Sequence, residues 1–481
     1  MSSDYLPRPD APVFDPTEDW LNRKPFLETI TRVLAHGQPP LVCGVEGDWG
    51  SGKTSILHQA YFTLEGECPQ NTGYREEKGI KQAAPGYEHV RTVWFEAWRY
   101  QHEPAPIIAL LHEMRAQLSS GWKFRAQAAK IGETAIRGAF EMIGDVAKGI
   151  AVGMGVTGAA GIPTPRVGST LQQIGEGIEA RRFETPLQSV QIRNYLTTAI
   201  QQLLPEKGKP AKDKTPAPVP RLIVMIDDLD RCEPESAFRL LEGIKIYLDL
   251  PDCIFLLGIN RREIESAIRV VLSKQSSAPD GGDLAYRAHE YVEKLCPVLW
   301  RLPVPTHEEK NAFAYKCWSR SAGCQNQMTA ALDDYDVLPA NPRKIVALCN
   351  RIAHLIQATE DLPAKQPGLT EQSAAYRLVL ALSCLYQFHP AVYRMLQGNP
   401  QFFSEIRRWS DNPKAKNLDS CFTTISAAQS AELDPNAANL QSATTFVDSF
   451  IDPIRSDVFR IQRLIRSIQP TESILAQFLA I

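Results

Sequence analysis

Over roughly the first three hundred residues, short apolar runs alternate with stretches in which apolar side chains recur at helical spacing. Runs of about four to eight apolar residues bounded by turn formers read as strands covered on both faces. Five runs qualify: Leu41–Val45, Val90–Phe95, Leu222–Ile226, Cys253–Ile259 and Val298–Leu302. Strands and helices in alternation predict an α/β fold, a parallel five-stranded sheet flanked by helices. From about Val304 no further strand run occurs. The pattern there is helical, punctuated by Pro339, Pro342, Pro363, Pro390 and Pro400, which predicts an all-α C-terminal region.

Two stretches interrupt the alternation. Residues 121–182 form a Gly/Ala-rich helical insertion, with Ile131, Ala135, Phe140, Ile143, Val146 and Ile150 near helical spacing. Residues 205–220 carry five prolines and four lysines and read as a solvated linker. The expected organisation is an extended arm over 1–22, a sheet domain over 23–305 containing both interruptions, and a helical region over 306–481.

Composition narrows the class. The chain has 481 residues, 44% hydrophobic and 22% charged, with net charge −3, so neither wholesale disorder nor a generally basic surface is expected. Ten scattered cysteines without a C-x-x-C pair fit reduced thiols better than a disulfide framework or a zinc site. Met1–Asp19 has no apolar core of a signal peptide, so a cytoplasmic location is expected. The longest uncharged run, Gly149–Pro165, contains five glycines and falls short of the ~20 apolar residues of a membrane span. Two readings of 131–165 remain, a docking arm for soluble partners and conditional membrane insertion.

The densest chemical signal is G-D-W-G-S-G-K-T-S, comprising Gly47, Asp48, Trp49, Gly50, Ser51, Gly52, Lys53, Thr54 and Ser55. It lies between a strand run and a helix run. Its glycines allow backbone N–H groups to turn inward around phosphate oxygens, and the helix N-terminus adds a favourable dipole. Lys53 would reach the β- and γ-phosphates and Thr54 would bind Mg²⁺. Lys53 is expected to be a point charge spent on phosphates, whose loss from a loop position costs little stability. The second signal is L-I-V-M-I-D-D-L-D-R, Leu222–Arg231, a buried run ending in acids at the strand edge where ligands bind in open α/β sheets. Asp227 would hold Mg²⁺, mainly through its water shell, and Asp228 would orient or deprotonate an attacking water.

Weaker features follow in order. Asn260 ends the fourth strand run and either senses a phosphate or caps the next helix. Arg343 opens a helix at Asn341-Pro342-Arg343, where it either reaches a γ-phosphate or is solvated. Arg231 reads as an ion-pair partner of the acidic run. Trp94–Tyr100, W-F-E-A-W-R-Y, reads as helix–sheet packing rather than a stacking platform for bases. Arg460, Arg463 and Arg466 share one helical face, which would suit DNA, a partner protein or solvent.

This set resembles the KAP family of P-loop NTPases, in the wider additional-strand group with AAA+ and STAND ATPases. The resembling pieces are the loop at 47–55, F-E-A-W-R-Y at 95–100, I-D-D-L-D-R-C at 226–232, F-L-L-G-I-N at 255–260, Y-V-E-K-L at 291–295 and N-P-R-K at 341–344. The resemblance implies ATP as substrate, Mg²⁺ as cofactor, phosphate contacts from Gly47, Gly50, Gly52, Lys53 and Thr54, and an acidic motif at Asp227 and Asp228. The sequence departs from the family at two places: no membrane helices lie between the two motifs, and Asn260 replaces a frequent acid. Bacterial relatives are similar to components of anti-phage defence and exclusion systems. The implied function is an ATPase switch acting on partner proteins encoded nearby, with a homo-oligomer possible. The competing readings are a nucleotide-gated scaffold with little turnover and an initiator-like DNA-loading ATPase.

Overall fold

A computed structural model describes residues 7–69, 86–103, 105–120, 141–147, 189–205, 218–275, 281–318, 322–358, 372–412, 418 and 455–480. The chain divides into two compact units, one of Pro12–Pro303 and one joining Met1–Ala11 to Val304–Ile481.

The first unit carries the sheet. Its strands are β1 (Leu41–Glu46), β2 (Val90–Glu96), β3 (Arg221–Asp227), β4 (Cys253–Ile259) and β5 (Val298–Arg301). They pair in the order β2-β3-β4-β1-β5, and every pairing is parallel. All five expected strands are therefore present. Strand β4 lies between β1 and β3, so the segments that follow β1 and β3 flank the end of β4 at one edge of the sheet.

Helices cover both faces. On one, α1 (Lys24–His36) and α2 (Lys53–Glu65) bury Ile30, Leu34, Ile56, Leu57 and Leu64 against Cys43, Trp94, Ile223, Met225, Ile254 and Leu256. On the other lie α3 (Pro106–Ser120), α4 (Ser189–Leu203), α5 (Pro234–Tyr247), α6 (Arg261–Gln275) and α7 (Gly281–Leu295), packed on Val93, Phe95, Leu222, Val224, Ile226, Phe255 and Leu257. Successive strand residues thus face opposite cores, which is why β3 and β4 read as unbroken apolar runs. Burying one such Leu or Ile contributes about 1.5–3 kcal/mol.

Edge strand β2 is protected by side chains. Glu65 accepts from the Thr92 N–H (2.6 Å), while Gln117 accepts from the Trp94 N–H (2.8 Å) and donates to the Trp94 carbonyl (2.6 Å). These bonds occupy backbone groups that would otherwise template an extra strand. Of the Gly/Ala-rich insertion, only 141–147 is described. It is helical and buries Ile143, Val146 and Ala147 in the same core as α3. The remainder of 131–165 and most of the 205–220 linker lie outside the described residues. Among the described residues, no helix is long and apolar enough to cross a membrane.

The second unit comprises α8 (His307–Cys317), α9 (Ala322–Tyr335), α10 (Pro342–Ala358), α11 (Gln372–Phe388), α12 (Pro390–Gly398), α13 (Phe403–Asp411), α14 (Arg455–Arg466) and α15 (Glu472–Leu479). A capping box between Thr306 and Glu309 starts α8. The fully buried Trp318 donates to the Cys349 carbonyl at 3.1 Å. Arg8 ties the N-terminal arm to this unit through Asn350 and the Cys317 carbonyl.

Aromatic packing behind β2 buries one titratable group. His58 of α2 is sandwiched between Phe14 (4.2 Å) and Trp94 (4.0 Å), and its Nδ1 has no hydrogen-bond partner. Burial pushes its pKa down to about 3. An unfolded chain protonates this imidazole near pH 6.5, whereas the folded one resists until about 3, so its contribution is intact above pH 6.5 and is lost on acidification below it. His58→Phe keeps the stack without the proton. In urea unfolding at pH 7 and pH 5, it should retain about 2 kcal/mol more of its pH 7 stability at pH 5 than wild type does. Equal losses in the two proteins would contradict this account.

Candidate functional site

The loop between β1 and α2 holds its shape through two left-handed residues, Gly50 (φ 77°) and Gly52 (φ 100°). A side chain at Gly52 would be strained and would collide with the Arg23 guanidinium. The Ser51 N–H donates to the Asp48 carbonyl (3.1 Å), and the Gly47 N–H is tied to the end of β4 through the Ile259 carbonyl (3.2 Å). Gly52 supplies no side-chain cap to α2, so the N–H groups of its first turn are not consumed there. The buried Ser51 hydroxyl has no partner. Uncapped helical amides and an orphaned hydroxyl beside a glycine turn suit an anion with several acceptor oxygens.

Lys53 is the first residue of α2 and is buried, so its replacement is not the low-cost change expected from a loop position. Its ammonium donates to the Gly47 carbonyl (2.8 Å) and the Asp48 carbonyl (3.4 Å), and pairs with Asp230 Oδ2 (3.2 Å). Both side chains of the pair are more than nine-tenths buried. Trp49 Nε1 donates to the same Asp230 oxygen (3.1 Å), although half of Trp49 is exposed. Asp230 therefore stitches the loop after β1 to the acidic run after β3, and sequence reasoning gave it no role. The sequence does carry this third acid, three residues after Asp227, and in the structure it sits in a single 3-10 turn over Leu229–Arg231.

Asp227 ends β3, buried, and accepts a hydrogen bond from the Thr54 hydroxyl. Gly258 of β4 passes so close that a Cβ there would lie 2.6 Å from Asp227 Oδ1. Burial, then the charge of Asp228, pushes the Asp227 pKa up to about 7 against the opposing pull of Thr54 and the Asp228 N–H. The paired hydroxyl and carboxylate are the donors that could hold a hard cation completed by water and phosphate oxygens.

The other expected residues are placed as follows. Asp228 adopts a left-handed conformation (φ 56°), and its carboxylate meets Arg231 at 3.0 Å. Arg231 is thus an ion-pair partner of the acidic run. Asn260 follows β4, and its amide oxygen accepts from the Arg262 N–H (3.2 Å), a helix-cap contact. Ser55 accepts from the Val13 N–H (3.1 Å). Arg343 belongs to the helical unit, where it pairs with Asp10. In the aromatic segment, Trp94 and Phe95 are buried, Tyr100 stacks on Phe95 (5.0 Å), and Trp98 is half exposed. The three arginines of α14 are each engaged within their unit. Arg460 pairs with Asp336 (2.7 Å), Arg463 lies over the Tyr335 ring (5.6 Å), and Arg466 approaches Asp411 (4.0 Å).

The family model described as the KAP family P-loop domain matches residues 23–380. The phage T7 exclusion protein of Escherichia coli K12 is 24% identical over 151 residues, which cover 29% of this chain and 19% of that protein. The chain thus spans less than two thirds of that relative's length. The ORC2 protein of Aeropyrum pernix, solved as ADPNP–ADP complexes, aligns over 99% of this chain and 96% of its own at 10% identity, with a TM-score of 0.35.

Two outcomes follow from the buried charges. Lys53→Ala strands Asp230 without its cation and should destabilise the protein by roughly 3–5 kcal/mol at pH 7; Lys53→Ala/Asp230→Asn should recover much of that loss. Additive single-mutant effects in denaturant melts would rule out this coupling. For Asp227, the folded carboxyl resists ionisation that an unfolded one accepts near pH 4. The folding penalty therefore grows as pH rises toward about 7 and is complete above it. Asp227→Asn should stabilise the metal-free protein on the order of a few kcal/mol at pH 8 and less at pH 5. A stabilisation independent of pH would show that ionisation is not the cause.

Proposed function

This chain belongs to the KAP family of P-loop NTPases, and from that premise we propose that it is a Mg²⁺-dependent ATPase used as a conformational switch on partner proteins, acting in bacterial anti-phage defence. The observation that carries the reading is the convergence, at one sheet edge, of a glycine-turned loop, a buried lysine and a buried carboxylate paired with a threonine hydroxyl. The partial match to the phage T7 exclusion protein supports the biological setting.

The chain's own residues divide the work. Backbone N–H groups of the loop and of the first turn of α2 bind phosphate oxygens, with Lys53 adding a point charge. Thr54 and Asp227 would hold Mg²⁺, which neutralises phosphate charge when bound. Asp228, anchored by Arg231 and still partly accessible, orients the attacking water. Asn260 ends β4 beside this edge and is assigned the sensing role through its amide nitrogen, since its oxygen caps α6. Arg343 is assigned a γ-phosphate contact within the ATPase cycle; reaching it requires release from Asp10. Catalysis is then mainly positioning and charge stabilisation.

Asp228→Asn keeps the shape of the acidic run and removes the carboxylate. It should hold Mg-ATP affinity within about threefold by calorimetry while phosphate release falls at least about a hundredfold. A wild type that binds ATP but releases no phosphate would replace the enzyme reading with the nucleotide-gated scaffold. Loss of binding and turnover in parallel would mean that Asp228 belongs to ground-state binding instead.

A further inference from the structure

We propose that Asp230 is the positioning residue of Lys53, holding its ammonium against the loop carbonyls until a nucleotide phosphate takes the place of the carboxylate. The inference rests on the nucleotide-binding reading and deepens it. An ammonium has three N–H donors. The three acceptors around Lys53 are the Gly47 carbonyl, the Asp48 carbonyl and Asp230, so a phosphate that takes a bond from Lys53 takes it from one of them. The two carbonyls belong to the loop that cradles the phosphate. Asp230 is the acceptor whose like charge opposes it, and it is the one exchanged.

The exchange has a structural consequence. Trp49, in the middle of the loop, donates to the same Asp230 oxygen that Lys53 contacts. Asp230 also neighbours Arg231, whose guanidinium is committed to Asp228. Phosphate on Lys53 therefore removes the ionic half of the tie between loop and acidic run, leaves the half-exposed Trp49 indole as the loop's remaining donor to Asp230, and leaves a buried carboxylate without its cation. Nucleotide arrival is thereby converted into rearrangement at residues 228–231, beside the carboxylate assigned to the water. Asp230 also acts as a threshold, because only a ligand that outcompetes a buried carboxylate occupies Lys53.

The test uses the full chain. ATP, with Mg²⁺ and with EDTA, is titrated calorimetrically into wild type, Asp230→Asn and Asp230→Glu, with folding checked by circular dichroism. Asp230→Asn removes the competing charge and should bind ATP roughly tenfold more tightly. The gain should appear as a lower KM. Asp230→Glu retains the charge and should return affinity toward wild type. A residue needed only for structure would not tighten binding. The second measurement needs no Asp230 variant: the ATP-induced change in tryptophan emission of wild type should be lost in Trp49→Phe. Equal or weaker ATP affinity in folded Asp230→Asn overturns the exchange while leaving the nucleotide reading intact, as does an emission change unaffected by Trp49→Phe. Absence of ATP binding in every protein overturns the nucleotide reading and the exchange with it.

Discussion

Parallel pairing of β3, β4 and β1 is the constraint on which the site depends. Because all strands run the same way, the loop after β1 and the acids after β3 emerge at one edge, separated by the width of β4. Each element there is set by backbone geometry. Gly50 and Gly52 take left-handed conformations, Asp228 does the same at the turn out of β3, and Gly258 leaves the room that Asp227 occupies. The strands beneath are covered on both faces, which fixes these turns against a close-packed support.

The electrostatics of the edge are those of a site under tension. One run carries three carboxylates within four residues, and two of them, Asp227 and Asp230, are buried. Each is compensated differently. Asp230 has Lys53 and the Trp49 indole, Asp228 has Arg231, and Asp227 has only a hydroxyl and a backbone amide beside its acidic neighbours. Asp227, left without a cation, has its pKa driven upward, as low dielectric and like charge require. Under the proposed function a divalent cation would relieve that same group.

The helical unit is organised around a different charge. Asp336 accepts from His307 (2.6 Å) and Lys310 (2.9 Å) and pairs with Arg460 (2.7 Å), joining the start of α8 to α14. Burial pushes its carboxyl up, but the bonds from Lys310 and His307 and the charges of Lys310 and Arg460 outweigh that and hold it below the usual carboxylate range. The arginine face of α14 borders this hub: Arg460 goes to Asp336, Arg463 lies over Tyr335 next to it, and Arg463 and Arg466 remain exposed.

The sequence by itself determined the five strands, their alternation with helices and the helical character of the remainder, because apolar runs and helical spacing are local properties of the chain. It also located the glycine-rich loop at 47–55 and the acidic run after β3, since glycine and carboxylate placement is fixed relative to the strand ends. Strand order was not legible, because pairing of β4 between β1 and β3 is a non-local choice. Neither was the sorting of Leu222, Val224 and Ile226 to one core and Ile223 and Met225 to the other, since an unbroken apolar run carries no alternation. The tertiary structure alone decided the fates of the charges. Lys53 is buried on Asp230 across β4, Asn260 caps a helix, Arg343 pairs with Asp10, and Arg460 pairs with Asp336. An ion pair between residues 177 positions apart, 230 minus 53, leaves no trace in local pattern, because its free energy exists only once the sheet brings the two chains of side groups together.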